Sequence, residues 1–295
     1  MKKISETDLI LNKDGSIYHL NLLPNDVADT VITVGDPDRV DQVSKYFDRI
    51  EIKKGKREFL THTGFIGKKR LTVISTGIGT DNIDIVLNEL DALVNIDLQT
   101  MLPKGNPKSI DIIRIGTSGA VQPEIPVDSL LVSSSAFGLD AIMSYYEHNL
   151  SNRDGELLSQ FTSAFPAEFK FNPYLANANS ALLEAYAADI TQGTTLTVPG
   201  FYAPQGRKLR ARQTLHDLMS IIQKFNVSGR KIANLEMETA GIYGLAVCLG
   251  HRAISFNAIL ANRATDTFSK NPDKIMDTFI QQILGMICDK ATAAD

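Results

Sequence analysis

The chain has 295 residues, 43% of them hydrophobic and 22% charged, with a formal charge of -4. That is length enough for one α/β domain with a large core, residues 1–295, while the slight acidity gives no basic field for nucleic acid, so any cationic site must be local. No window approaches the ~18 continuous apolar residues of a membrane span. The opening MKKISETDLILNKDGS lacks the apolar core of a signal peptide. Cys248 and Cys288 have no metal-like spacing and read as buried thiols in a reducing, cytoplasmic compartment.

In chain order, residues 1–16 read as a polar, loosely held N-terminal extension. Ile17-Tyr18-His19-Leu20 follows as an amphipathic segment too short for a core element, with His19 at the surface. Residues 30–34 form a strand that runs through Gly35 into a helix, with Asp36 as cap and Pro37 first, because the missing proline N–H is no loss there. Such a junction aims free N–H groups and the positive helix end at one spot beside Arg39; a plain βα turn with capping aspartates is the alternative. Residues 60–66 and 71–74 read as a hairpin about Gly67-Lys68-Lys69. Ser75 to Asp81 is a flexible loop, and Asp81 caps a helix marked by Ile83, Val86, Leu87, Leu90 and Val94. These glycines fit neither GxGxxG nor GxxxxGK[ST], so dinucleotide-binding and P-loop readings lack their motif. Residues 102–109 read as a surface loop.

Ile110, Ile112, Ile113 and Ile115 then mark a buried strand that ends in a turn at Gly116-Thr117-Ser118-Gly119. Arg114 breaks the apolar run. A guanidinium stays charged and is rarely buried alone, so either a carboxylate or a bound anion must meet it. The turn's N–H groups and hydroxyls suit an oxyanion; a structural arginine beside an ordinary tight turn is the alternative. A strand over residues 129–134 follows Pro123 and Pro126, and residues 141–179 read as irregular, with one short helix. A helix over 180–189 and a strand over 193–198 lead to Phe201-Tyr202-Ala203-Pro204-Gln205-Gly206-Arg207. An aromatic ring beside a glutamine and an arginine suits a flat polar heterocycle, although a solvated basic loop is equally readable. Residues 234–249 hold a helix entered through Glu236-Met237-Glu238, whose carboxylates serve either the helix dipole or the vicinal hydroxyls of a sugar. A last strand over 253–260 and a helix over 272–288 close the chain. Strands alternate with helices throughout, which indicates a three-layer α/β/α arrangement on a mixed or mostly parallel sheet, with polar loops at strand ends where ligands bind.

VGDPDRV from Val34, RIGTSGAVQPEIPVD from Arg114 and LEMETAGIYGLA from Leu235 resemble the nucleoside phosphorylase-I family, most closely its uridine phosphorylases. Tyr18-His19-Leu20, Lys56 to Phe59, Ser75 to Gly79 and Phe201 to Arg207 extend the likeness, which runs from about residue 17 to the C-terminal helix. The resemblance implies a phosphorylase/hydrolase-like three-layer α/β/α sandwich with a mixed central sheet, and a pentosyltransferase that cleaves uridine with phosphate. It implies a homo-oligomer, a hexamer by family habit, with active sites at a dimer interface. Gly35, Arg39, Arg114 and Thr117 match phosphate ligands, with Arg57 contributed by the neighbouring subunit. His19 matches a residue that reaches the neighbour's ribose 5′-hydroxyl, which displaces the surface reading. Met237 and Glu238 match ribose contacts, with Glu236 close by. Phe201, Gln205 and Arg207 match the uracil site and Arg263 its support.

Asn262 stands where the family's purine phosphorylases carry an aspartate that protonates the base, which argues for a pyrimidine. No organic cofactor is implied, and phosphate enters as co-substrate. Some members bind a monovalent cation through positions matching Glu58, Ile78 and Asn82; Asn82 replaces the usual serine, and no metal is assigned. A nucleosidase or purine phosphorylase of the same superfold, or a silent nucleoside-binding protein, is the alternative. Residues 1–16, 98–109 and 141–179 depart from the family pattern.

Overall fold

The computed structural model describes residues 3–292. In chain order the elements are β1 (Thr30–Val34), α1 (Pro37–Ser44), β2 (Arg49–Lys56), β3 (Phe59–Ile66), β4 (Lys69–Ser75), α2 (Thr80–Asn95), the short β5 (Ile96–Asp97) and β6 (Leu102–Pro103), β7 (Asp111–Ala120), β8 (Leu130–Gly138), α3 (Asn152–Ser163) and β9 (Tyr174–Asn177). They continue with α4 (Ser180–Tyr186), β10 (Thr191–Thr197), α5 (Leu218–Lys224), β11 (Asn226–Val227), β12 (Arg230–Glu236), α6 (Thr239–Leu249), β13 (Arg252–Asn262), β14 (Thr267–Phe268) and α7 (Pro272–Thr292).

Strand alternation places helices on both faces of the sheet. Val31 of β1 and Ile112 of β7 turn toward Ile83, Val86 and Leu90 of α2 and Ile242 and Leu245 of α6. Their chain neighbours Ile32 and Ile113 turn the other way, toward Val40 and Val43 of α1 and Ile280, Ile283 and Ile287 of α7. This is the three-layer α/β/α arrangement expected, and β1 is buried at every position because it is covered twice over. The sheet order is β11-β12-β10-β8-β13-β7-β1-β4-β3-β2. It is mixed: β1 pairs parallel with β4 and β7, whereas β13 pairs antiparallel with β8. β12 also bonds β7 antiparallel, at Asn234 to Ala120 and Leu235 to Gly119, so β7, β13, β8, β10 and β12 close into a ring. That closure brings the end of β12 against β7.

Several expectations need correction. Gly116 to Gly119 is not a turn, for β7 runs extended through it to Ala120. The glycine at 116 serves a different need: an added Cβ would lie 2.0 Å from Arg114 Nη1, because the Arg114 side chain folds over the position two residues on. The cap of α2 is Gly79, with Asp81 in the first turn. Residues 141–179 hold more than one short helix, namely a 3₁₀ turn at Ile142–Tyr145, α3 capped by Ser151, and β9 on the edge of β8. Strand β2, strand β12 and helix α5 were not anticipated. The N-terminal segment is held: Asn12 Nδ2 bonds Ser16 Oγ and Ile17 O, Ile4 N bonds Met101 O, and Ile17 and Leu20 are wholly buried in the α2–α6 core. The thiols are not buried, since Cys248 is exposed and Cys288 half-buried. No helix among the described residues is long and apolar enough to cross a membrane.

Candidate active site

Arg114 is the centre of the polar cluster. It is 5% exposed, and its Nη2 donates to Glu238 Oε2 at 2.7 Å and lies 3.1 Å from Glu236 Oε2. Its Nη1 donates to Asn257 Oδ1 at 3.0 Å and reaches Ser255 Oγ at 3.4 Å. Of the two partners the sequence left open, carboxylates meet the guanidinium here. Burial works against the Arg114 charge, but Glu236 and then Glu238 outweigh it and hold its pKa above the usual arginine value.

The two glutamates have different jobs. Glu236 Oε2 accepts from the N–H groups of Glu238 and Thr239 at 3.0 and 2.9 Å and from the Thr239 hydroxyl at 2.8 Å, while Oε1 takes the Thr197 hydroxyl. With Arg114 added, Oε2 is fully occupied, while Oε1 carries the Thr197 hydroxyl and keeps one acceptor site. Glu236 caps α6 and orients its neighbours. Glu238 takes Arg114 on one oxygen and the Gly79 N–H, at 2.8 Å, on the other, so it sits against the positive start of α2 with acceptor capacity left. Burial pushes its carboxyl up, Arg114 pulls it down, and the negative Glu236 pushes it up again; the net shift is upward. Met237 between them is half-buried.

Arg39, in the first turns of α1, faces the same charge. Burial first, and the positive Arg114 second, hold its guanidinium below the usual arginine value, against the pull of Asp36 and Glu238. Its Nε is buried with no hydrogen-bond partner among the described residues. Asp36 caps α1 by accepting the Asp38 N–H at 2.9 Å. Gly35 packs closely, a Cβ there meeting Gly77 O at 3.5 Å, and Thr117 is half-buried on β7. Gly116→Ala should displace the Arg114 guanidinium rather than the backbone, since only the far end of a side chain is in the way. Its expected signature is a clearly lowered urea midpoint, because moving the guanidinium disturbs its buried pairs with Glu238 and Glu236 while the strand itself remains.

A second corner gathers the residues expected around a base. Arg207 lies over the Phe201 ring, 3.7 Å from guanidinium carbon to centroid, and its Nη1 donates to Phe201 O at 2.7 Å and to Gln205 Oε1. Arg263 Nη1 donates to Gln205 O at 3.1 Å. Phe201 remains 51% exposed, with the Tyr202 ring edge-on to it at 5.4 Å, and Gln205 is buried. Burial and then the neighbouring Arg263 hold Arg207 below the usual arginine value. Arg263 lies beside Gly119 of β7, which joins this corner to the Thr117 end of the first cluster.

Among the described residues no hydrogen bond, ion pair or ring contact ties His19 or Arg57 to Arg114, Glu238 or Arg207. They lie together about Tyr18: Arg57, exposed and with φ of 57° in the β2–β3 turn, is 6.0 Å from the Tyr18 ring, and His19 packs edge-on against Tyr18 and Phe59. Asn262, which stands where the purine phosphorylases carry an aspartate, is committed to the backbone. Its Nδ2 donates to Gln122 O and Ile125 O at 2.9 and 2.7 Å, and its Oδ1 accepts from Ala264 and Thr265 N–H at 2.8 and 3.1 Å, so backbone groups occupy the whole amide. Asn262→Ala should lower stability by about 2 kcal/mol, through unsatisfied buried backbone groups, and leave the preference between uridine and inosine unchanged. Urea denaturation and a two-substrate assay check this.

Sequence reasoning missed Ser255, Asn257, Thr197 and Thr239, which surround Arg114 and Glu236. Ser255 and Asn257 carried a readable signal, being polar residues two apart in an otherwise apolar strand. Glu58 and Asn82 meet over Gly77, where a Cβ would lie 3.1 Å from Glu58 Cγ and 2.4 Å from Asn82 Nδ2. Among the described residues no group of three His, Cys, Asp or Glu side chains is placed to hold a metal ion.

A mixed α/β sheet with its polar cluster at the strand ends is the class that fold and site define. The family model described as the phosphorylase superfamily matches residues 29–287, and the chain belongs to that superfamily. It is 30% identical over 269 residues to a uridine phosphorylase of Thermococcus kodakarensis, covering 89% of this chain and 83% of the relative. It is 28% identical over 253 residues to the uridine phosphorylase of Haemophilus influenzae, covering 84% and 86%. Among solved structures, a Trypanosoma brucei nucleoside phosphorylase described as showing uridine phosphorylase activity superposes with a TM-score of 0.84 at 30% identity, covering 95% of this chain and 99% of that one.

Proposed function

We propose that the protein is a uridine phosphorylase, a pentosyltransferase that converts uridine and inorganic phosphate reversibly to uracil and ribose 1-phosphate, with deoxyuridine and thymidine as further candidates. The observation that carries the reading is a buried Arg114 and a half-buried Arg39 whose charges oppose one another, while Arg39 Nε is buried without a hydrogen-bond partner among the described residues. Two like charges that oppose one another favour an anion that both can meet.

In this reading phosphate lies against Gly35, Arg39, Arg114 and Thr117. Met237 and Glu238 hold the ribose, Glu238 accepting its hydroxyls; Glu236, its Oε2 taken up by the start of α6 and by Arg114, positions Arg114 and Glu238 close by. Uracil stacks on Phe201 with Gln205 and Arg207 at its oxygens and Arg263 behind. A phosphate oxygen forms the new bond to C1′ as the C1′–N1 bond breaks, and the electron pair of that bond leaves with the base. The carbon becomes oxocarbenium-like beside the dianion, and the departing charge spreads onto uracil oxygens facing Arg207 and Gln205. Enzyme nucleophile and organic cofactor have no part in this scheme.

Within a single chain no hydrogen bond, ion pair or ring contact among the described residues ties His19 or Arg57 to the cluster, which supports a homo-oligomer in which each copy completes its neighbour's site with these two residues, a hexamer being one such assembly. The free thiols fit a cytoplasmic setting. Ultraviolet assay of uridine cleavage with and without phosphate tests the whole reading. Turnover should depend on phosphate and yield ribose 1-phosphate; equal release of uracil in phosphate-free buffer would leave the arginines without a nucleophile to hold and favour a nucleosidase.

A further inference from the structure

Helix α2 presents polar groups at two points of its length. At its start the Gly79 N–H holds Glu238; further along, Glu89 reaches the N-terminal segment. Glu89 is 8% exposed, and its carboxylate is surrounded by donors: Oε1 and Oε2 take the His19 backbone N–H at 3.1 and 3.0 Å, Oε2 takes the Leu20 N–H at 2.9 Å, and Oε1 lies 2.6 Å from His19 Nδ1. An ionised carboxylate only accepts, so Nδ1 of His19 carries its hydrogen toward Glu89. In the neutral imidazole Nε2 is then the acceptor. The ring cannot turn freely, because Tyr18 and Phe59 pack edge-on against it at 4.8 and 6.5 Å, and its side chain keeps 27% of its surface exposed.

We propose that Glu89 is a positioning residue for the nucleoside site, fixing His19 in the tautomer whose Nε2 accepts a hydrogen bond from a substrate hydroxyl. The inference rests on the reading above in which His19 enters the neighbouring subunit's site at the ribose 5′-hydroxyl. It assigns that contact a polarity: the hydroxyl donates and His19 accepts. It also gives α2 a double duty, since the helix that braces the ribose carboxylate of its own subunit aims the histidine offered to the other. Glu89→Gln keeps the shape but places amide hydrogens among the backbone donors, so the tautomer is no longer imposed.

The test compares uridine with 5′-deoxyuridine in the wild type, Glu89→Gln and His19→Ala, alongside nitrogen NMR of the histidine-labelled wild type. In Glu89→Gln, kcat/KM for uridine should fall about tenfold while that for 5′-deoxyuridine stays within about twofold, the scale of one charge-assisted hydrogen bond. In the wild type His19 should show a protonated Nδ1 and a bare Nε2. An equal fall for both substrates would make Glu89 a structural anchor only and overturn the proposal, as would no fall for either. A hydrogen found on Nε2 of the neutral wild-type ring would overturn it without any variant. If His19→Ala abolishes the preference for uridine while Glu89→Gln keeps it, the role of Glu89 fails and the placement of His19 stands. If His19→Ala keeps the preference, that placement fails and the proposal falls with it.

Discussion

Arg114→Ala should abolish phosphate-dependent cleavage of uridine and cost the fold about 3–5 kcal/mol, the penalty for leaving buried charge without its partner. Both effects have one origin. The guanidinium meets Glu238 at 2.7 Å and Glu236 at 3.1 Å, so alanine strands two carboxylates in a site that water barely reaches. Arg39→Ala separates the two consequences, because its Nε has no protein partner to abandon. It should raise the phosphate KM about tenfold or more with little loss in urea midpoint, as expected when one charge-assisted contact to a dianion is removed.

The pH dependence of Arg114→Ala follows from the raised pKa of Glu238. A carboxyl whose folded pKa lies above its unfolded value contributes stability that is complete below the unfolded value and is lost as pH rises through the folded one. Losing Arg114 removes the largest interaction that pulls this pKa down, so the shift grows. The deficit of the variant relative to wild type should therefore be smaller near pH 5 than near pH 8, read from urea melts across that range. A deficit independent of pH, or a variant that keeps its normal response to phosphate, would contradict the placement of the charges.

Particular residues show why parts of this site were readable and others were not. Arg114 stood out because a permanent charge inside a β-branched run demands a partner wherever it lies. Gly116 was misread because glycine serves two needs, positive φ and empty space, and only the folded Arg114 side chain shows that space is the need here. Strand β2, RIEIKKGK, escaped notice since it is an edge strand with alternating exposure, and its lysines are what an edge carries to avoid pairing with other chains. Ile17 and Leu20 looked too isolated to be core, yet both are wholly buried; the α2–α6 surface that covers them lies far along the chain and leaves no local periodicity. The Glu-Met-Glu entrance of α6 admitted a dipole role and a sugar role. In the structure Glu236 accepts the first N–H groups of α6, and Glu238, which accepts Gly79 N–H and Arg114, keeps further acceptor capacity.

Arg207→Ala should reduce kcat/KM for uridine about 10²–10³-fold, the usual cost of removing a donor aimed at developing negative charge, while the phosphate KM and the urea midpoint change little. Among the described residues the Arg207 side chain meets the Phe201 carbonyl, the Gln205 amide and the Phe201 ring face within its own loop, and none of these is left as a buried charge when it goes. The separation from Arg114→Ala is thus chemical: one variant loses the nucleophile's holder and a buried counter-charge, the other loses help for the leaving group. A leaving-group series distinguishes assistance to departure from mere binding. In 5-fluorouridine the fluorine withdraws electrons, so the base carries negative charge with less help and the penalty of Arg207→Ala should shrink. An equal penalty for both nucleosides would mean that Arg207 binds ground state and transition state alike.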